Sequence, residues 1–144
     1  MLTLDSGDPL ATCDITLDVS DGTATDFCVS TVEVVDTTAP VAACNAPRTI
    51  VPPDAPISFT GTGADACSST TTVVTEYDCF KFTKKGKKID KKQSCVVSFE
   101  GDTITIDDSG GVHDHITWTV EVMDANGNTS SAQCQVLVVN PGLY

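Results

Sequence analysis

Asp124-Ala125-Asn126-Gly127-Asn128 sets three oxygen-bearing side chains at alternate positions. A hard divalent cation such as calcium takes six to eight oxygens, and the opening of a calcium loop presents its ligands in this way. The run is not an EF-hand, because Gly127 is misplaced and no glutamate stands at the closing position. Asn-Gly also makes a tight turn with no metal, so the same residues read equally as a plain turn. His113-Asp114-His115 is a second constellation: two histidines one residue apart on an extended segment face one side and could share a transition metal. No third ligand is evident, and the pair follows a DDSGG turn, so exposed turn histidines are the better reading. Asp65, Asp107, Asp108 and Asp114 read as solvated turn residues. Asn128-Thr129-Ser130 fits a glycosylation sequon, although the turn already accounts for the asparagine. No G-x-S-x-G motif, phosphate loop, paired-carboxylate pocket or Cys/His dyad occurs, and no enzyme is expected.

Seven cysteines (Cys13, Cys28, Cys44, Cys67, Cys79, Cys95, Cys134) stand in 144 residues with no CxxC pair. That usage favours disulfides over zinc and an extracellular, cell-surface or periplasmic location; the alternative is a cytosolic protein with buried thiols. An odd count leaves at least one cysteine without an internal partner. Nothing in residues 1–20 reads as a signal peptide and no apolar run reaches membrane-spanning length. The expectation is a piece of a longer exported polypeptide, with Met1 an expression start.

The charge is unevenly spread. Of eight basic residues, Lys81, Lys84, Lys85, Lys87, Lys88, Lys91 and Lys92 lie between Cys79 and Cys95, where the one acid is Asp90. The loop thus carries +6, while Arg48 against nineteen acids leaves −18 elsewhere and −12 in all. An acidic body repels phosphate backbones, so it is not expected to bind nucleic acid. Three readings of the loop stay open: docking on an acidic neighbour or another copy, binding an anionic polymer such as surface polysaccharide, or keeping an exposed hairpin tip soluble. Phe80 and Phe82 beside the lysines suit a contact surface, but with Tyr77 they could equally pack beneath the loop as a small core.

The elements that must position these residues are strands. Alternating apolar residues recur over 14–20 (Ile15, Leu17 and Val19 inward), 29–35, 70–77, 96–99, 103–106 and 116–123, with a more continuous apolar run at 135–139. Turn clusters SDGT, DTTAP, VPPDAP, GTGAD, DDSGG and DANGN separate them, and no helical stripe of ten residues appears. An all-β, antiparallel sandwich follows. The chain also repeats: residues 15–40 line up with 118–142, Asp21 on Asp124 and Cys28 on Cys134. Residues 1–40 are therefore read as the closing hairpin of a preceding repeat plus linker, and 41–144 as a complete sandwich with a Lys-rich insertion at 79–95. A lone hairpin is marginal in water, so the first unit must pack on the next domain, pair with another chain or stay partly loose.

VVDTTAPVAAC (34–44), ADAC (64–67) and ITWTVEVMDANGNTSSAQCQVLVV (116–139) together resemble the hyalin repeat and the wider group of bacterial immunoglobulin-like repeats. The resemblance implies an immunoglobulin-like sandwich in tandem arrays of large surface or secreted proteins, with structural or adhesive roles and no catalysis. It implies that Cys44 meets Cys134, and it is compatible with Cys79 and Cys95 closing the basic loop, though Cys67 competes for either. It also implies interdomain calcium near Asp21, Asp26, Asp36 and Asp124. The basic insertion departs from the minimal repeat, and Trp118 on the penultimate strand departs from antibody-type domains.

Overall fold

Threonine, valine and isoleucine fill this chain's regular segments, and residues 12–142, described in a computed structural model, carry eleven strands and no helix. β-branched side chains suit a pleated, half-buried surface, which is the state that most of these strands reach. The strands are β1 (Thr12–Ser20), β2 (Thr25–Glu33), β3 (Val41–Cys44), β4 (Thr49–Ile50), β5 (Ile57–Ala64), β6 (Thr70–Phe82), β7 (Lys88–Asp90), β8 (Val96–Glu100), β9 (Thr103–Asp108), β10 (Asp114–Asp124) and β11 (Thr129–Val138). One sheet has the order β4-β11-β10-β6-β7 and the other β3-β5-β9-β8, while β1 and β2 make a two-stranded sheet by themselves. All pairings are antiparallel except β4 with β11. The two larger sheets form a β-sandwich.

β10 is the spine. Its even-numbered residues Ile116, Trp118, Val120 and Val122 face inward and are buried against Ile104 and Ile106 of β9 and Val136 and Val138 of β11. Trp118 stacks on Phe59 of the opposite sheet with ring centroids 6.0 Å apart. The β6 partner carries a bulge: Thr119 pairs with Glu76 but Val120 with Val74, leaving Thr75 as the extra residue. An extra residue exchanges the two faces of a strand. Thr72 and Val74 face inward before it, and Tyr77, Cys79 and Lys81 after it.

Two disulfides cross the sandwich. Cys44 on β3 bonds Cys134 on β11, and Cys79 on β6 bonds Cys95 at the approach to β8. Buried Cys79, Cys95 and Cys134 belong to the core cluster itself.

Two sequence expectations change. GTGAD is not simply a turn, because Gly61 and Gly63 lie within β5 as it crosses β10. A Cβ on Gly61 would stand 2.6 Å from Val120 Cγ1, and one on Gly63 would meet Val122. Glycine serves here for close approach of the sheets, which local propensity scores as a break. Ile15, Leu17 and Val19 do share a face of β1, but that face is exposed.

Deleting the disulfides should rank by the loop each closes. The Cys44→Ala/Cys134→Ala pair, spanning 90 residues, should cost about 4.6 kcal/mol and Cys79→Ala/Cys95→Ala about 3 kcal/mol on the chain-entropy relation. Urea unfolding of the two double variants checks the order. Gly61→Ala should cost about 1–3 kcal/mol through overpacking in the same assay.

Candidate functional site

Cys79 to Cys95 is an ordered hairpin rather than a loose loop. β6 continues through Phe80, Lys81 and Phe82, and β7 returns with Phe80 opposite Asp90 and Phe82 opposite Lys88. The Thr83 N–H donates to the Lys87 carbonyl at 2.9 Å, and Gly86 takes the left-handed φ of 79° that lets the tip close. At the base, the Lys91 N–H donates to the Cys79 carbonyl at 2.8 Å, next to the disulfide.

The seven lysines are not equivalent. Lys81 lies on the inward side of β6 after the bulge; its Nζ donates to the Val112 carbonyl at 2.8 Å and stands 3.8 Å from the buried Asp114 carboxylate. Lys88 Nζ binds Asp78 at 2.6 Å and sits 4.1 Å from the Phe80 ring centroid. Lys92 Nζ lies 5.3 Å over the Tyr77 ring. Such cation–π contacts hold an ammonium against its own domain. Lys84, Lys85 and Lys87 are exposed and Lys91 half-buried, none with a side-chain partner among the described residues. The positive tip that faces outward is thus Lys84, Lys85 and Lys87, while Lys91 stays at the hairpin's base.

The aromatics divide in the same way. Phe80 is buried on the outer face of the sheet, stacked on His115 with centroids 5.2 Å apart and edge-on to Phe82 at 5.3 Å. Phe80 is therefore a floor for the hairpin, and Phe82, 49 % exposed, is the aromatic left on the surface. His115 belongs to β10 rather than to a turn, and its Nδ1 lies 3.2 Å from Gln135 Nε2. His113 is exposed with φ 70°, which breaks the extended geometry that would align the two rings. Asp114 is not a solvated turn residue: it opens the inward row of β10, where its carboxylate accepts the Gly111 N–H at 2.9 Å.

The predicted calcium ligands do not converge. Asp21 and Asp26 lie at the tip of the β1–β2 hairpin, and β2 runs from Thr25 to Glu33 away from them, roughly 23 Å from Asp26 at strand rise. Asp36, Asp124, Asn126 and Asn128 gather instead at the junction of linker and sandwich. Asp124 Oδ1 accepts the N–H groups of Asn126 and Asn128, each at 2.8 Å, and Oδ2 accepts Asn128 Nδ2 at 2.8 Å. Asn128 Nδ2 also donates to the Asp36 carbonyl at 3.1 Å, tying the linker down. The atom that a glycan would occupy is thus already engaged. Burial acts to raise the Asp124 pKa, but the Asn128 side chain and the N–H groups of Asn128, Asn126 and Gly127 outweigh it and hold the carboxyl below its ordinary value. Both carboxylate oxygens accept from donors of their own chain, so the turn is closed by its own hydrogen bonds.

One neighbourhood escaped the sequence reading. Asp36, Asp65 and Cys67 bring a ligand atom each within 4.8 Å of one another. Asp65 Oδ1 meanwhile accepts the Cys67 and Ser68 N–H groups at 2.8 and 2.9 Å. Two carboxylates and a thiol fall short of the six to eight oxygens calcium takes. The ADAC turn was visible in the sequence, but its approach to Asp36 depends on the tertiary path of the linker.

No protein-family model matches this chain, and no curated protein matches it in sequence.

Because its folded-state pKa is lowered, Asp124 contributes stability above about pH 4 that disappears as pH falls through the depressed value. Asp124→Asn should lower the melting temperature at pH 7 and flatten its decline as pH falls below about 4. Adding a calcium chelator should leave the melting temperature of the parent unchanged, since the turn is closed by its own N–H groups.

Proposed function

We propose that this chain is a non-enzymatic structural or adhesive repeat of an extracellular protein, which docks head-to-tail on a neighbouring repeat or a second copy through its basic hairpin. One observation carries the reading. Lys84, Lys85 and Lys87 project from a disulfide-closed hairpin with no side-chain partner among the described residues, on a chain whose remainder is strongly acidic. A tip of one sign held apart from a body of the other builds chains of copies, because the two complementary surfaces are different patches. Exposed Phe82 and Ile89 give the tip apolar contact area beside its charge. Two disulfides support an oxidising location, and the absence of any long apolar helix among the described residues gives no reason to place the module within a bilayer. The immunoglobulin-like and hyalin-like affinity remains the proposed lineage, supported by the motif order and by the inter-sheet disulfide from β3 to β11.

A second reading is a binding module for carbohydrate or anionic polymer. A polar groove beside the hairpin supports its carbohydrate form, lined among others by Glu76, Tyr77, Asp78, Lys88, Asp90 and Lys92, with a volume of about 400 Å³.

The K84E/K85E/K87E variant should keep the parent's melting temperature within about 2 °C, as exposed substitutions do. Light scattering in about 10 mM salt should show self-association for the parent and monomers for the variant; the parent's association should fade by about 150 mM as the Debye length shortens. Equal particle mass for the two proteins in low salt defeats docking. Monomers that nevertheless bind a polysaccharide or heparin column favour the second reading.

A further inference from the structure

The β1–β2 hairpin reproduces the register of β10–β11. Leu17 stands opposite Cys28, as Trp118 stands opposite Cys134. Counting from those pairs, Ile15 occupies the place of Ile116, Val19 that of Val120, Ser30 that of Val136 and Val32 that of Val138. The line-up differs by two residues on the first strand from the one anchored on Asp21 and Asp124. A shift of two preserves the face, so the same side chains point to the same side.

The two hairpins differ in what covers them. Ile116, Trp118 and Val120 are at most 2 % exposed beneath the β3-β5-β9-β8 sheet, whereas Ile15, Leu17 and Val19 are 43–59 % exposed. Cys134 is buried and bonded to Cys44 across the gap between sheets, with Cα atoms 5.7 Å apart. Cys28 is exposed and unbonded. Phe27 and Val29 on the opposite face are exposed too, which leaves the hairpin without the core that two strands need in water.

We infer that the Ile15–Leu17–Val19–Cys28–Val32 face is half of a sandwich core, completed by a second antiparallel sheet that presents a cysteine to Cys28 as β3 presents Cys44 to Cys134. This rests on the tandem-repeat reading and names what that reading requires: the occupant is the β3-β5-β9-β8 counterpart of a preceding repeat in the same polypeptide. A second copy of the chain is a poor occupant. Its corresponding sheet is already covered by its own β10–β11, and its bare hairpin carries Asp14, Asp18, Asp21, Asp26 and Glu33 with no basic residue, so two hairpins repel. A cysteine presented to Cys28 as Cys44 is to Cys134, where the Cα atoms are 5.7 Å apart, stands within disulfide reach. In the bond-forming step the two thiols yield two protons and two electrons to a disulfide oxidant, which is reduced to two thiols while one S–S bond forms.

Two measurements test this. In the 144-residue chain, a maleimide should label Cys28 under native conditions, and amides of β1–β2 should exchange at least about a hundredfold faster than those of β10–β11. Equal protection of the two hairpins in a monomeric chain overturns the inference, because the face then needs no cover. In the polypeptide purified from its natural source, non-reducing peptide mapping should join the Cys28 peptide to a cysteine outside these 144 residues, with Cys44–Cys134 as the internal control. A free Cys28, or one bonded to Cys13, Cys67 or a second Cys28, overturns it. If a preceding repeat is present and Cys28 is still free, the tandem-array reading survives and the docking inference fails. If no such repeat precedes the hairpin, both fail.

Discussion

The bulge opposite Thr119 and Val120 decides which way the second half of β6 faces, and the basic hairpin inherits that choice. With the extra residue, Cys79 turns inward to bond Cys95 and Lys81 turns toward Asp114, while Phe80 and Phe82 turn outward beneath the returning strand. Without it, the pleat would direct Phe80 into the sandwich and Cys79 to solvent, and no bond to Cys95 could tie the hairpin to the other sheet. One inserted residue thereby converts a continuation of the sheet into a projecting, covalently closed finger.

That orientation also sorts the charge. An ammonium beside a carboxylate or over an aromatic ring is held to its own domain, as Lys81, Lys88 and Lys92 are, although Lys88 and Lys92 stay exposed. The lysines at the tip have no such neighbours and remain in water, where charge acts over a Debye length and is screened by salt. The same residue type serves packing at the base of the finger and long-range attraction at its end.

At the other functional candidate, the linker and two turns meet through hydrogen bonds. Asn128 joins Asp124 to the Asp36 carbonyl, and the Ala125 N–H donates to the Ser69 carbonyl at 3.0 Å, so the DANGN turn holds both the linker and the ADAC turn. Among the described residues, the hairpin beyond the linker has no corresponding support. Its strands repeat the core register of β10–β11, and Ile15, Leu17 and Val19, which face inward in that register, are exposed.

Period-two alternation was enough to identify an all-β protein and to place most strands, because burial of one face writes itself directly into residue order. The acidic body, the lysine concentration between Cys79 and Cys95, and the duplicated closing hairpin were equally open to reading from the residues alone. The strand at Ile57–Ala64 was not, since Gly61 and Gly63 answer to the side chains of Val120 and Val122 on another sheet rather than to their own neighbours. The inward turn of Lys81, the burial of Asp114 and the stacking of Phe80 on His115 were hidden for a related reason: a bulge is set by how two strands register against each other. Local composition determined what kind of surface each segment prefers, while only the packing of sheet on sheet determined which side chains are consumed in holding the domain together and which are left free to meet something else.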